Sequence, residues 1–63
     1  MKTGICKFYS TEKGYGFIKI DDSNEDIFVH ATGLNEEIRE NDKVEFDVVE
    51  GKKGLNAVSV RLV

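Results

Sequence analysis

The sequence predicts an all-β domain in which five short strands close into a small barrel. Runs of alternating apolar and polar residues recur along the 63 residues, separated by turns rich in glycine and acidic side chains. A chain of this length forms one domain, residues 1–63, and is too short to cover an open sheet with a second layer. Five short strands at this spacing indicate a small barrel or a sandwich. A barrel buries one face of every strand in a shared interior and avoids the exposed edges and uncovered face of an open sheet.

The strands follow from the turn signals, and in chain order they are 2–9, 15–20, 27–30, 43–50 and 57–62. The second strand alternates most strictly. A turn over residues 51–54, with a glycine at each end, is typical of a hairpin and joins the last two strands. Residues 31–42 form a longer acidic connection, in which the sequence allows a helical turn around residues 35–39.

The alternation also assigns an inward face to the strands. On the second strand Ile18 and Ile20 share one face and Lys19 lies on the other, and burying a lysine is costly. The isoleucine face therefore points inward, and the aliphatic face of the third strand does so by the same argument. The predicted interior consists of Ile18, Ile20, Ile27, Val29, Val44, Phe46, Val48, Val58, Val60 and Leu62.

Aromatic side chains are left on the outward faces of the second and third strands. Tyr15 and Phe17 lie opposite the isoleucines of the second strand. Phe28 and His30 occupy the corresponding face of the third strand. If these two strands pair as a hairpin, four flat rings form one patch, and a solvent-exposed aromatic cluster of this kind indicates a binding surface.

The first strand contains a conflict in its alternation. Cys6 and Phe8 share a face, yet Cys6 suits the interior as a reduced thiol, whereas Phe8 stands beside Lys7. A bulge or a strong twist would bring Lys7 and Phe8 to the surface together and keep Cys6 inside. We therefore expect Phe8, ahead of Tyr9, to be the exposed ring of this strand.

The aromatic patch lies among lysines, which is how proteins hold single-stranded nucleic acid: bases stack on the rings and lysines neutralise phosphates. The net charge is −3, but the two ends of the chain are basic and residues 21–50 are strongly acidic. Nucleic acid requires local positive potential rather than a basic total. The alternative is a small barrel that docks a peptide or partner protein on the same patch, and weak salt dependence would favour it.

Composition argues against several other classes of function. One cysteine permits neither an internal disulfide nor a cysteine-rich zinc site. The one histidine, His30, has no evident nucleophile or second base beside it, so we expect it to stack on or bond to a base and expect no enzyme, metal or cofactor. No membrane-length apolar run or signal-peptide pattern occurs, and a cytoplasmic monomer is expected.

The glycines around the second strand allow two interpretations. Gly14 suits a turn, and Gly16 lets the strand coil sharply. Gly16 could equally permit a nucleotide to approach the strand, with Lys13 near a phosphate. Both interpretations are compatible with the sequence.

Two segments, Lys13-Gly14-Tyr15-Gly16-Phe17-Ile18 and Ile27-Phe28-Val29-His30, resemble the two RNA-binding motifs of the cold-shock domain family. Residues 4–10 are similar to the opening strand of that family, and the resemblance covers essentially the whole chain. It implies a five-stranded antiparallel barrel of the OB type that binds single-stranded RNA and DNA with low sequence specificity. Stand-alone bacterial members act in the stress response as RNA chaperones, which keep transcripts unfolded without ATP and affect transcription or translation.

The resemblance also implies which residues bind nucleic acid. The positions that match are Lys7, Phe8, Lys13, Tyr15, Phe17, Asp26, Phe28, His30 and Lys53. In the family these rings stack on bases, the lysines neutralise phosphates, and the acid before the second motif can bond to base edges.

The chain departs from the family pattern where aromatic contacts are usual. Phe8 stands where most members have tryptophan, and Ala31 replaces a common aromatic residue. The connection after Leu34 is several residues shorter and lacks its usual aromatic, and Gly54-Leu55-Asn56-Ala57 replaces Gly-Pro-Gln-Ala. We predict a shorter footprint or weaker binding than a typical member has.

Overall fold

The computed structural model describes residues 1–23, 25–51 and 54–63, which form five strands and one short 3-10 helix. The strands are β1 (Lys2–Ser10), β2 (Tyr15–Ile20), β3 (Asp26–His30), β4 (Lys43–Gly51) and β5 (Gly54–Leu62). The 3-10 helix, Ala31–Gly33, follows β3 directly. The predicted strands are confirmed, and β5 begins three residues earlier than the alternation indicated.

The strands close into a barrel in the order β1-β2-β3-β5-β4. The prediction of a five-stranded barrel is confirmed, and four of its neighbouring pairs are antiparallel. The fifth pair differs from the expected antiparallel arrangement because β3 and β5 run parallel, with Phe28 opposite Asn56 and Val29 opposite Ala57. Parallel neighbours need a crossover rather than a hairpin, and residues 31–51, which include β4, supply it here.

The interior is apolar, and most of it matches the predicted set. The fully buried side chains are Cys6, Ile18, Ile27, Val29, Ile38, Val44, Phe46, Ala57 and Val60. Ile20 and Val48 are partly buried and pack against this core. No buried polar or charged side chain occurs among the described residues, so the core is held by apolar burial and packing.

The prediction for β5 was wrong at two positions, because the strand contains a bulge. Val58 is half-buried and Leu62 is 42% exposed, whereas Ala57 is buried. Between the pairs Glu45–Arg61 and Asp47–Val58, β4 has one residue and β5 has two. One of these two, Ser59, adopts a left-handed φ of 54°. The extra residue shifts the alternation, so Ala57 and Val60 both face inward.

The acidic connection contains no helical turn at residues 35–39; that expectation was wrong. The segment instead bonds to two strands through its backbone. The N–H of Asn35 donates to the carbonyl of Val60 at 2.8 Å, and the N–H of Asn41 donates to the carbonyl of Cys6 at 2.6 Å. These bonds hold the connection against the barrel and place Ile38 in the interior, where 1% of it is exposed.

Candidate nucleic-acid interface

The β2–β3 pairing brings the rings of the two predicted motifs to one face. Phe17 lies opposite Phe28, and Tyr15 lies opposite His30. Ile18, which follows Phe17 on β2, and Val29, which lies between Phe28 and His30 on β3, are fully buried. Because successive side chains of a strand point to opposite faces, burial of Ile18 and Val29 turns the adjacent rings outward.

Five rings form a continuous group that we call the aromatic surface: Phe8, Tyr15, Phe17, Phe28 and His30. Tyr15 and Phe28 stack with centroids 5.7 Å apart, and Phe17 meets Phe28 edge-on at 5.9 Å. Phe8 contacts Tyr15 at 6.3 Å, and His30 contacts Phe28 at 6.5 Å. Phe8 and Phe17 remain 44% and 39% exposed. The predicted patch of four rings is confirmed, and Phe8 extends it onto β1.

The bulge in β1 explains how Phe8 reaches this surface. Cys6 pairs with Ile18, but Phe8 pairs with Phe17, so Lys7 is the extra residue. Cys6 is fully buried while Lys7 and Phe8 are exposed, as the conflict in the alternation predicted. Burial raises the pKa of the Cys6 thiol above its ordinary value, which keeps the sulfur protonated and unreactive.

Gly16 has a packing role. It is buried, and a Cβ at this position would collide with the carbonyl oxygen of Phe8 and lie 2.7 Å from the Cα of Tyr9. The absent side chain therefore allows β2 to coil closely against β1, which supports the first interpretation of this glycine. Gly14 serves the turn before β2, with a φ of 78°.

The candidate phosphate-binding lysines differ in their surroundings. Lys7 Nζ lies 3.2 Å from Asp26 Oδ2, in an exposed ion pair. Lys13 is exposed on the turn before β2, where its backbone N–H donates to Ser10 Oγ at 3.1 Å. Within residues 1–23, 25–51 and 54–63, no carboxylate pairs with Lys13 or Lys19. Lys53 lies outside the described residues.

The imidazole of His30 is oriented by a residue that sequence reasoning missed. The backbone N–H of Thr32 donates to His30 Nδ1 at 3.2 Å, and Thr32 Oγ1 lies 3.0 Å from the same nitrogen. Because a backbone N–H only donates, the neutral ring carries its proton on Nε2, which is left to donate elsewhere. The one signal for this contact was a hydroxyl residue two positions after His30, a common spacing for local side-chain bonds.

The described residues show neither a metal-binding cluster nor a membrane-spanning helix. They contain no cluster of three or more histidine, cysteine or acidic side chains suited to a metal ion. They also contain no helix with the length and apolar character needed to cross a membrane.

Comparison with known proteins gives consistent matches. The family model described as 'Cold-shock' DNA-binding domain matches residues 2–63. The chain is 44% identical to the major cold shock protein of Micrococcus luteus, covering 95% of this chain and 96% of that one. It is 47% identical to a cold shock-like protein of Aquifex aeolicus, covering 95% and 91%.

A solved structure shares the fold. The structure titled drosophila Unr CSD456 aligns with a TM-score of 0.79 at 26% identity. The alignment covers 98% of this chain and 26% of that longer chain. The likeness supports the barrel assignment across nearly all of the sequence.

Proposed function

Because the chain belongs to the cold-shock domain family, whose members bind nucleic acid, we propose that it binds single-stranded RNA and DNA with low sequence specificity. In the cell it acts as an RNA chaperone that keeps transcripts unfolded and so affects transcription or translation. It works by equilibrium binding in the cytoplasm as a monomer, without catalysis, cofactor or ATP.

The observation that carries this proposal is the contiguity of the aromatic surface. Its five rings contact one another in a chain of centroid distances between 5.7 and 6.5 Å. Each base stacked on such a ring contributes about 1–3 kcal/mol. Four stacks give a gross ~4–12 kcal/mol, from which the cost of ordering the strand is subtracted, so micromolar to nanomolar affinity is reasonable.

Lysines complete the proposed site. Lys7 and Lys13 flank the aromatic surface on β1 and on the turn before β2, and Lys53 belongs to the set by resemblance. Neutralising phosphates releases counterions, so binding weakens as salt rises. Asp26, two residues before Phe28 on the same strand face, is proposed to accept hydrogen bonds from base edges.

The first test compares single-stranded with duplex nucleic acid. The chain has no tryptophan, so the fluorophore is placed on a short oligothymidine and on a duplex of the same length. Anisotropy is measured at two salt concentrations. We expect tight, salt-sensitive binding to the single strand and little binding to the duplex. The absence of binding at protein concentrations of about tens of micromolar would overturn the proposal, because four stacks allow a higher affinity than that. The aromatic surface would then be assigned to a protein partner.

The second test removes two rings. Phe17→Ala with Phe28→Ala should weaken oligothymidine binding at least about thirtyfold, since two lost stacks remove ~2 kcal/mol or more. The matched control is Val49→Ala, because Val49 is an outward apolar residue of β4 with 44% exposure and no ring. The control should bind normally. If the double variant loses its far-ultraviolet circular dichroism, the rings support the fold and the assignment of the site is wrong.

A further inference from the structure

An ion pair borders the aromatic surface. Lys7, the extra residue of the β1 bulge, reaches across β2 and places its Nζ 3.2 Å from Oδ2 of Asp26 at the start of β3. The two side chains are 54% and 41% exposed. Asp26 shares its strand face with Phe28, so the pair lies beside the rings.

This pairing opposes the use of Lys7 as a phosphate contact. A phosphate must displace the carboxylate from the ammonium group, and the carboxylate then repels the phosphate at short range. An exposed ion pair is weak, with a typical strength of about 0.2–1 kcal/mol. A phosphate can therefore displace Asp26 from Lys7. The competing ion pair nevertheless reduces the share of complexes in which Lys7 contacts phosphate.

We propose that Asp26 is an affinity-limiting residue that masks the charge of Lys7 from the nucleic-acid backbone. The inference rests on the proposed function, because it concerns the same surface. In this arrangement the chain binds a single strand with one phosphate contact only partly formed. The mask keeps binding weak enough for the protein to leave a transcript again, as a chaperone must.

If Asp26 masks the charge of Lys7, removing the carboxylate of Asp26 should strengthen binding of a single strand. Asp26→Asn removes the charge but keeps an oxygen that can accept from a base edge. It should tighten oligothymidine binding by up to about fivefold at low salt, which is the fold-change that an exposed pair of this strength allows. The slope of log K against log salt should steepen by up to about 0.7, the contribution of one phosphate contact on a single strand. Lys7→Gln in the native background should lose only a partly formed phosphate contact, so it should lower both quantities less than the same substitution does in the Asp26→Asn background.

The experiment is a double-mutant cycle read by anisotropy with labelled oligothymidine. It uses the native chain, Asp26→Asn, Lys7→Gln and the double variant, each titrated over a series of salt concentrations. Glu25→Gln is the matched control, because Glu25 is the neighbouring exposed acid and pairs with no cation of the described residues. We expect Asp26→Asn to gain affinity and slope, the double variant to lose both gains, and Glu25→Gln to gain less.

The outcomes separate this inference from the proposed function. If the native chain binds no single strand, the proposed function fails. If the native chain binds but Asp26→Asn is unchanged or weaker, the mask is overturned, and a weaker variant points to the base-edge role for Asp26. If the gain survives in the double variant or is matched by Glu25→Gln, general charge removal explains it and the mask is likewise overturned.

Discussion

The β2–β3 hairpin and the β4–β5 hairpin bury similar side chains and expose different ones. The first buries Ile18, Ile27 and Val29, and the second buries Val44, Phe46, Ala57 and Val60. Outward, the first carries four of the five rings of the aromatic surface. The second carries charged and aliphatic residues, namely Glu45, Asp47, Val49 and Arg61. The inward sets of both hairpins belong to one core. The outward sets therefore distinguish the two hairpins as surfaces.

The two hairpins also differ in regularity. The β2–β3 register runs without a shift over five consecutive pairs, from Tyr15 opposite His30 to Lys19 opposite Asp26. The β4–β5 register shifts at the bulge that contains Ser59. Regular pairing spaces the outward rings evenly along the two strands. Even spacing suits a ligand whose flat groups recur at regular intervals, as the bases of a single strand do. The bulge of the other hairpin lies in β5, a strand that carries none of the five rings.

The largest expected effect comes from exchanging one phenylalanine in each hairpin for alanine. Phe46 is fully buried in β4, whereas Phe17 is 39% exposed on β2. Phe46→Ala should cost about 3–5 kcal/mol of unfolding free energy, because it leaves a cavity. Phe17→Ala should cost about 1 kcal/mol, since it loses mainly edge contacts with other rings. Urea denaturation followed by circular dichroism measures both.

A domain of this size has little stability to lose, in total about 3–5 kcal/mol. Phe46→Ala can therefore be unfolded at room temperature, and Phe46→Leu, which removes less volume, then gives the comparison with Phe17→Ala. Equal losses from Phe17→Ala and either Phe46 variant would contradict the division of the rings into interior and surface.

The regular hairpin is also the part that could be predicted from the sequence. Strict alternation around Lys19 assigns the faces of β2, and the pairing of two such strands leaves one arrangement of rings. Even the β1 bulge was predictable. Cys6 favours the interior and Phe8 the surface, whereas a regular strand would place both on the same face. In each case a charged or reactive side chain indicates which face of the strand points inward and which points outward.

The remaining features depend on contacts that are distant in sequence. The β5 bulge gave no glycine signal, since Ser59 occupies the left-handed position, and the alternation of Val58, Val60 and Leu62 indicated a regular strand. Ile38 lies in a segment without periodicity, and its burial depends on backbone bonds to β5 and β1. The pair of Lys7 with Asp26 joins two strands through side chains, which no local pattern encodes.

A smaller effect tests the bulge itself. Ser59→Val places a β-branched residue at a φ of 54°, where such side chains are strained, and should cost about 1–2 kcal/mol. Ser59→Gly should be close to neutral, because relief of the left-handed strain offsets the greater freedom of glycine in the unfolded chain. Thermal unfolding of both variants is the measurement. If valine is tolerated as well as glycine, the bulge at residue 59 is not the cause of the altered alternation.

The smallest effect concerns a contact that links the two hairpins. At the end of β2, Asp21 Oδ2 accepts hydrogen bonds from Lys43 Nζ at the start of β4 and from Thr3 Oγ1 of β1, the latter at 2.9 Å. Hydrogen bonding from Lys43, and then from Thr3, lowers the pKa of Asp21 below its ordinary 3.8. A carboxyl group whose pKa is lower in the folded state stabilises the fold above its ordinary pKa, and this contribution is lost as the pH falls through the folded value.

Asp21→Asn should therefore be less stable than the native chain at neutral pH, and the difference should shrink once the pH falls below about 3.8, the ordinary pKa of the carboxyl group. Lys43→Gln should reproduce this pH dependence, because it removes the main donor while the carboxylate remains. Urea titrations at a series of pH values measure the change. Since all three side chains are at the surface, the loss should be smaller than that from Ser59→Val. A difference that is the same at pH 7 and in acid would mean that Asp21 joins the hairpins through packing rather than through its charge.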